Sequence, residues 1–201
     1  MGVDPAAGRR YIGGMSDPVT EASPAPVLDE IETLPILVAP HPVLKARARP
    51  VTEADHGEVQ ALIARMFETM YRAPGIGLAA PQVGVGLRMA IIDLQRDNRR
   101  TPIVLINPEV VAESDALATR EEGCLSLPGQ YAQVTRPALV RVRYTDETGA
   151  RREIEGQDLL GACLQHEIDH LDGVLFVDHL SVLRRNIIMR RLVKEQRQKA
   201  K

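Results

Sequence analysis

The sequence predicts an α+β fold: mixed or antiparallel β-sheets packed around a central helix, with a further helix at the C-terminus. Three observations predict it. Apolar residues recur at helical spacing over residues 59–70, 159–170 and 183–193. Between these segments lie short runs with the period-2 alternation of half-buried strands, such as Val140, Val142 and Tyr144 set against Arg141 and Arg143. The middle helical segment also carries His166-Glu167-Ile168-Asp169-His170, whose two histidines are four residues apart and so share one helix face.

Taken in order, residues 1–33 predict a disordered leader. Gly2, Gly8, Gly13 and Gly14 mix there with Pro5, Pro18, Pro24 and Pro26 without apolar periodicity, and Met15 is an alternative start. Residues 34–38 read as a short strand, followed by Pro40-His41-Pro42, where the prolines exclude a helix. Thr52-Glu53-Ala54-Asp55 resembles a helix start with Asp in the last position of the capping box. Val59, Leu62, Ile63, Met66, Phe67 and Met70 then form one buried helical face, which Ala73-Pro74-Gly75 ends. Gly75-Ile76-Gly77-Leu78-Ala79-Ala80 superficially fits a dinucleotide fingerprint, but it follows a helix and precedes Pro81-Gln82, the wrong context for one. It reads instead as a loop whose glycines admit a substrate backbone, with the Gln82 amide turned into a cleft.

Strands follow at 87–94, at 103–106 and, after an Asn107-Pro108 break, at 110–112, with a polar turn over 95–102. Residues 139–145 and 152–155 pair as a hairpin across Asp146-Glu147-Thr148-Gly149. Asp158 can cap the central helix, and Gly173 lies just past its end. Ser181 caps the last helix. Leu183, Ile187, Ile188, Leu192 and Val193 share one of its faces, and the other side is rich in Arg and Lys.

The composition excludes several classes. A chain of 201 residues is long enough for one domain with a real core. A net charge of −2 argues against a protein held to nucleic acid by a global basic field. No apolar run approaches the roughly 18–20 residues of a membrane-spanning helix, and no apolar stretch follows Arg9 and Arg10 as a secretory signal would require. Two cysteines do not make a disulfide framework, so the reducing cytoplasm is the expected location.

His166 and His170 can point their imidazoles at one divalent ion, with Glu167 beside it as proton carrier. A third ligand is needed. Phe176 stands where an extended three-histidine pattern would place its last His, which closes that route. Glu195, the one Glu after the motif, lies in a basic tail. Cys163 lies seven residues before His170, ~10 Å along a helix axis, too far to share an ion comfortably. Cys124 carries no such restriction, and two His plus one Cys leave a tetrahedral ion one open position.

Three segments in order and at matching spacing resemble the peptide deformylases: Gly75-Ile76-Gly77-Leu78-Ala79-Ala80-Pro81-Gln82, Glu122-Gly123-Cys124-Leu125-Ser126 and Gln165-His166-Glu167-Ile168-Asp169-His170. The resemblance implies a catalytic domain over 34–201, ending in a basic C-terminal helix at 180–201. It implies a metallohydrolase that removes the N-formyl group from the formylmethionine of nascent peptides and releases formate. Cys124, His166 and His170 would then hold the metal, ferrous iron by resemblance, although such a donor set also suits Zn2+, Ni2+ or Co2+. Glu167 would move the proton, and Gln82 with the Leu125 N–H would receive the oxyanion. Ile76, Leu159, Ala162 and Cys163 would line the methionine pocket, and Gly77 would bind the peptide backbone. Ala162 is small where a bulkier aliphatic is common in the family, and Tyr131 stands where some members carry Arg. The basic C-terminal helix implies docking to the ribosome near the peptide exit. Two rival readings are a zincin-type peptidase using Glu195 and a non-catalytic, ribosome-associated module clipped by a metal.

Overall fold

A computed structural model of the chain describes residues 31–199; the predicted leader, apart from its last three residues, lies outside them. Its elements are helices α1 (His56–Arg72), α2 (Asp158–Leu171) and α3 (Val182–Lys199) and seven strands. The strands are β1 (Gly77–Ala79), β2 (Met89–Ile92), β3 (Ile103–Glu113), β4 (Leu117–Cys124), β5 (Leu127–Pro137), β6 (Leu139–Thr145) and β7 (Arg151–Gln157). Five of them form one sheet in the order β1-β2-β3-β6-β7, while β4 and β5 form a separate hairpin. All these strand pairings are antiparallel, so of the two expected kinds of sheet the antiparallel one is present.

Strand β2 is buried on both faces, which is why it reads Met-Ala-Ile-Ile without a polar position. Met89 and Ile91 pack with Val59, Leu62, Met66 and Met70 of α1. Ile92 joins Cys163, Leu164 and Ile168 of α2 in a different cluster. Alternation along one strand therefore seats two helices on two clusters. Helix α2 contacts β1, β2, β6 and β7. Its close seat on β7 depends on Gly161, where a Cβ would come within 2.8 Å of the Gly156 carbonyl oxygen.

Several expectations are corrected. Residues 34–38 form no strand; Leu37 N–H instead donates to the Gln82 carbonyl and Ala39 N–H to that of Ser126, single stitches rather than a ladder. Asn107-Pro108 does not break the third strand, because β3 runs through it with a shift of register between Ile106 and Glu109. Asp158 does not cap α2; Gln157 holds the cap position, and the Asp158 carboxylate pairs with Arg120. In α3, Leu183 and Ile187 are exposed and only Leu192 is buried, because the helix rests on its neighbours along the row of Ile188 and Leu192. The Thr52–Asp55 reading holds: the Asp55 carboxylate accepts from both the Thr52 N–H and its hydroxyl.

Candidate metal centre and cleft

Strand β4 ends at Cys124, and Leu125-Ser126 turn the chain into β5, with the register shifting between Gly123 and Cys124. This bulge places the thiol against α2, 3.2 Å from His170 Nε2. His166 and His170 stand one helical turn apart with ring centroids 5.0 Å from one another. Ligand atoms of Cys124, His166 and His170 all lie within 4.8 Å of one another, a Cys/His/His group able to hold a metal ion. Phe176, the residue that interrupts the three-histidine pattern, stacks on the His166 ring.

The electrostatics match such a group. Burial would raise the Cys124 thiol, yet the charge of His170 and hydrogen bonding to both imidazoles hold it well below its usual value. Burial likewise opposes a charged His166, but Cys124 and Glu122 push its pKa well up. The group thus favours a Cys124 thiolate facing a charged His166 ring, and thiolate is the form in which cysteine binds metals. Glu167 is buried, and its Oε2 has no hydrogen-bond partner among the described residues. That burial lifts its pKa to about 7 against the lowering influence of His166 and His170. Cys163 differs from Cys124: burial and the nearby Glu167 keep it a neutral thiol.

A cleft of about 580 Å³ opens beside the group. Glu167, Gln82 and Leu125 line it, as do Ile76, Gly77, Ala162 and Cys163. Leu159 and Tyr131 complete the predicted set, 41% and 65% exposed respectively. Gly77 leaves no room for a side chain while Glu167 keeps its place: a Cβ there would collide with the Glu167 carboxylate and lie 3.0 Å from Cys163 Sγ. Gln82 is 2% exposed; its Oε1 accepts from the Ala79 N–H at 2.8 Å and its Nε2 donates to Ser126 Oγ at 3.2 Å. The peptidase alternative loses its ligand here, because the Glu195 carboxylate accepts from Gln130 and is not among the clustered donors.

Sequence reasoning missed a buried polar cluster behind the histidines. Glu122 Oε2 lies 3.0 Å from His166 Nδ1, and Arg136 donates to both Glu122 oxygens, at 2.6 and 3.0 Å. Those contacts hold Glu122 down to about 2 despite its burial. One signal was present: Glu122 and Cys124 are two residues apart on a strand and therefore face the same side.

A family model described as polypeptide deformylase matches residues 33–186. Among similar relatives, the peptide deformylase of Rhizorhabdus wittichii is 52% identical over 168 residues, covering 81% of this chain and 94% of its own. That of Agrobacterium fabrum is 48% identical over 166 residues, 82% of this chain and 97% of the relative. The crystal structure of a peptide deformylase from Legionella pneumophila superposes with a TM-score of 0.79 at 46% identity, covering 85% of this chain and 99% of that one. With such matches over most of the chain, it belongs to the peptide deformylase family.

Proposed function

We propose that the cleft bounded by Gly77, Gln82, Cys124 and Glu167 is where this chain, as a peptide deformylase, hydrolyses the N-formyl group of nascent peptides. The observation that carries the assignment is the meeting of three clustered ligand atoms and a buried, unpartnered carboxylate oxygen beside one cleft. Cys124, His166 and His170 would hold the ion, which makes α2 the metal-bearing helix around which the sheets pack. When bound, such an ion supplies Lewis acidity, acidifying water and polarising a carbonyl. Ferrous iron is our choice of native metal, with Zn2+, Ni2+ or Co2+ able to substitute, since ligand type alone does not select among them.

The residues divide the rest of the work. Glu167, with a pKa near neutrality, takes the proton of the attacking water at a carboxylate oxygen and passes it to the leaving amine. The formyl C–N bond breaks; formate leaves, and the methionyl amine is freed. Gln82 Nε2, at the floor of the cleft, donates to the oxyanion together with the Leu125 N–H. Donors of this kind are typically worth about 3–4 kcal/mol each. The apolar walls at Ile76, Ala162, Cys163 and Leu159 receive the methionine side chain, and Gly77 lets the peptide backbone approach. Tyr131, paired with Gly123 across the hairpin, contacts residues beyond the first.

We place the catalytic domain at 34–201. Arg184, Arg190, Arg191 and Lys194 of α3 form the surface proposed to meet ribosomal RNA near the exit, by local charge rather than the total of −2. A cytoplasmic location fits that role, and no helix among the described residues is long and apolar enough to cross a membrane. The test is formate release from a formyl-Met tripeptide by anaerobically iron-loaded protein, with Glu167→Gln alongside. Release by the wild type only, with Met left attached, is the expected result. No formate with iron or nickel bound would sink the assignment.

A further inference from the structure

Arg136 occupies a singular place among the described residues. It lies on β5, 6% exposed, and its three nitrogens are all engaged. Nε and Nη2 form a two-pronged grip on Glu122, at 2.6 and 3.0 Å. Nη1 donates to Asp169 Oδ2 at 2.7 Å, and the same Asp169 oxygen lies 2.7 Å from His179 Nε2. Glu122 belongs to β4, two residues before Cys124; Asp169 belongs to α2, between His166 and His170. One guanidinium therefore ties together the two elements that supply all three proposed ligands.

The tie continues to a ligand. The Glu122 oxygen that accepts from Arg136 Nη2 also lies 3.0 Å from His166 Nδ1, which leaves Nε2 as the nitrogen free for an ion. His170 has no counterpart: its Nδ1 is buried without a partner among the described residues, and the polar contact its ring does make is that of Nε2 with the Cys124 thiol, at 3.2 Å. Among the described residues, the polar anchoring behind the two imidazoles is thus on the His166 side. A salt bridge serving stability alone would not need to end on an imidazole of the ligand cluster.

We infer that Arg136 is a positioning residue for the metal centre, acting through Glu122 to set the tautomer and orientation of His166 while Asp169 keeps α2 in register with β4. The inference rests on the ligand assignment made above. Loss of partners behind metal-ligating histidines typically lowers metal affinity 10–100-fold. A planar guanidinium suits the task because it grips a carboxylate at two points, which a lysine ammonium does not.

The experiment measures Co2+ affinity by chelator competition, together with the absorption spectrum of the Co2+-loaded full chain. The variants are Arg136→Met, Arg136→Lys and the double variant Arg136→Met with Glu122→Gln. The double variant removes both charges at once and keeps the test open should Arg136→Met alone fail to fold. We expect the double variant to bind Co2+ 10–100-fold more weakly, with a shifted spectrum, and Arg136→Lys to recover only part of the loss. Arg49→Met, which breaks the distant pair with Asp55, should leave affinity and spectrum unchanged. Wild-type affinity and spectrum in the double variant would overturn the inference. Cys124→Ala separates the two levels of failure. If it too keeps wild-type affinity, the ligand assignment itself is wrong; if it loses the ion while the double variant does not, only the role of Arg136 falls.

Discussion

Replacing Gly77 by Ala is the smallest change that should disable the cleft. Residue 77 sits in β1 with no left-handed backbone requirement, so the cost of a methyl group is steric. The new Cβ would lie about an ångström or more inside normal contact with Glu167 Oε1, and 3.0 Å from Cys163 Sγ. Glu167 sits on a buried helix whose seat against β7 is already close, so its carboxylate must yield. A misplacement of about 1 Å in a reacting group costs on the order of 10²-fold in rate, and overpacking costs roughly 1–3 kcal/mol of stability. Gly77→Ala should therefore lose about two orders of magnitude in kcat/KM for formate release while keeping its metal, since Glu167 is not a ligand. Turnover, metal content and thermal unfolding measured on one preparation test this. Activity within threefold of wild type would refute the reasoning, as would activity lost only in proportion to metal.

Other outcomes follow from the same geometry. Gln82→Ala should lower kcat by about 10²–10³-fold, and should also lower stability by roughly 1–3 kcal/mol because the Ala79 N–H loses its acceptor; steady-state kinetics and denaturant unfolding separate the two. Met66→Ala, at a fully buried position of α1, should cost about 2–5 kcal/mol in chemical denaturation and leave turnover per folded molecule unchanged. Tyr71 donates to Asp93 at 2.7 Å, and burial with that partner pushes the phenol up to about 12. A raised folded pKa gives stability that is complete below the unfolded value of 10.0 and is lost as pH climbs toward 12. Asp93 has the opposite sign: bonds from Tyr71, Thr101 and Gln95 outweigh burial and lower it, so its contribution disappears as pH falls below the usual 3.8. In Tyr71→Phe, denaturation midpoints should fall less between pH 10 and 12 than in wild type; equal slopes would show that the pair does not titrate this way.

Much of the fold was legible because local periodicity and tertiary burial agree. Val59, Leu62, Met66 and Met70 mark α1 at helical spacing, and all four are buried. The β6–β7 hairpin was visible in the alternation of Val140 and Val142 with arginines, whose outward side chains pair with Glu153 and Glu155 across the strands. The β4–β5 hairpin was not visible. Leu117–Cys124 carries three charges and few large apolar groups, and its register is set by a two-residue turn and by packing that no short window contains. Residues 34–38 failed as a strand because extended, apolar chain needs a continuous edge to pair with, and here the Leu34 and Leu37 N–H groups find isolated acceptors, the Thr69 hydroxyl and the Gln82 carbonyl.

The site divides along similar lines. Groups close in sequence, such as His166, Glu167 and His170, declare their chemistry through helix spacing. Cys124 is reached by eliminating other candidates and by the family resemblance of residues 122–126, not by local spacing, yet its thiol lies 3.2 Å from His170. Arg136 could not be found that way. Its partners Glu122, Asp169 and His179 come from three different elements, and a buried arginine on a strand looks like any exposed one until the fold encloses it.

The claim on which everything else depends is that Cys124, His166 and His170 converge on one ion. X-ray absorption at the metal edge of the loaded, full-length protein tests it most directly. With zinc bound, one sulfur at about 2.3 Å and two imidazole nitrogens at about 2.0–2.1 Å are expected, with the sulfur lost in Cys124→Ser. A first shell of nitrogen and oxygen only, unchanged by that substitution, would contradict it.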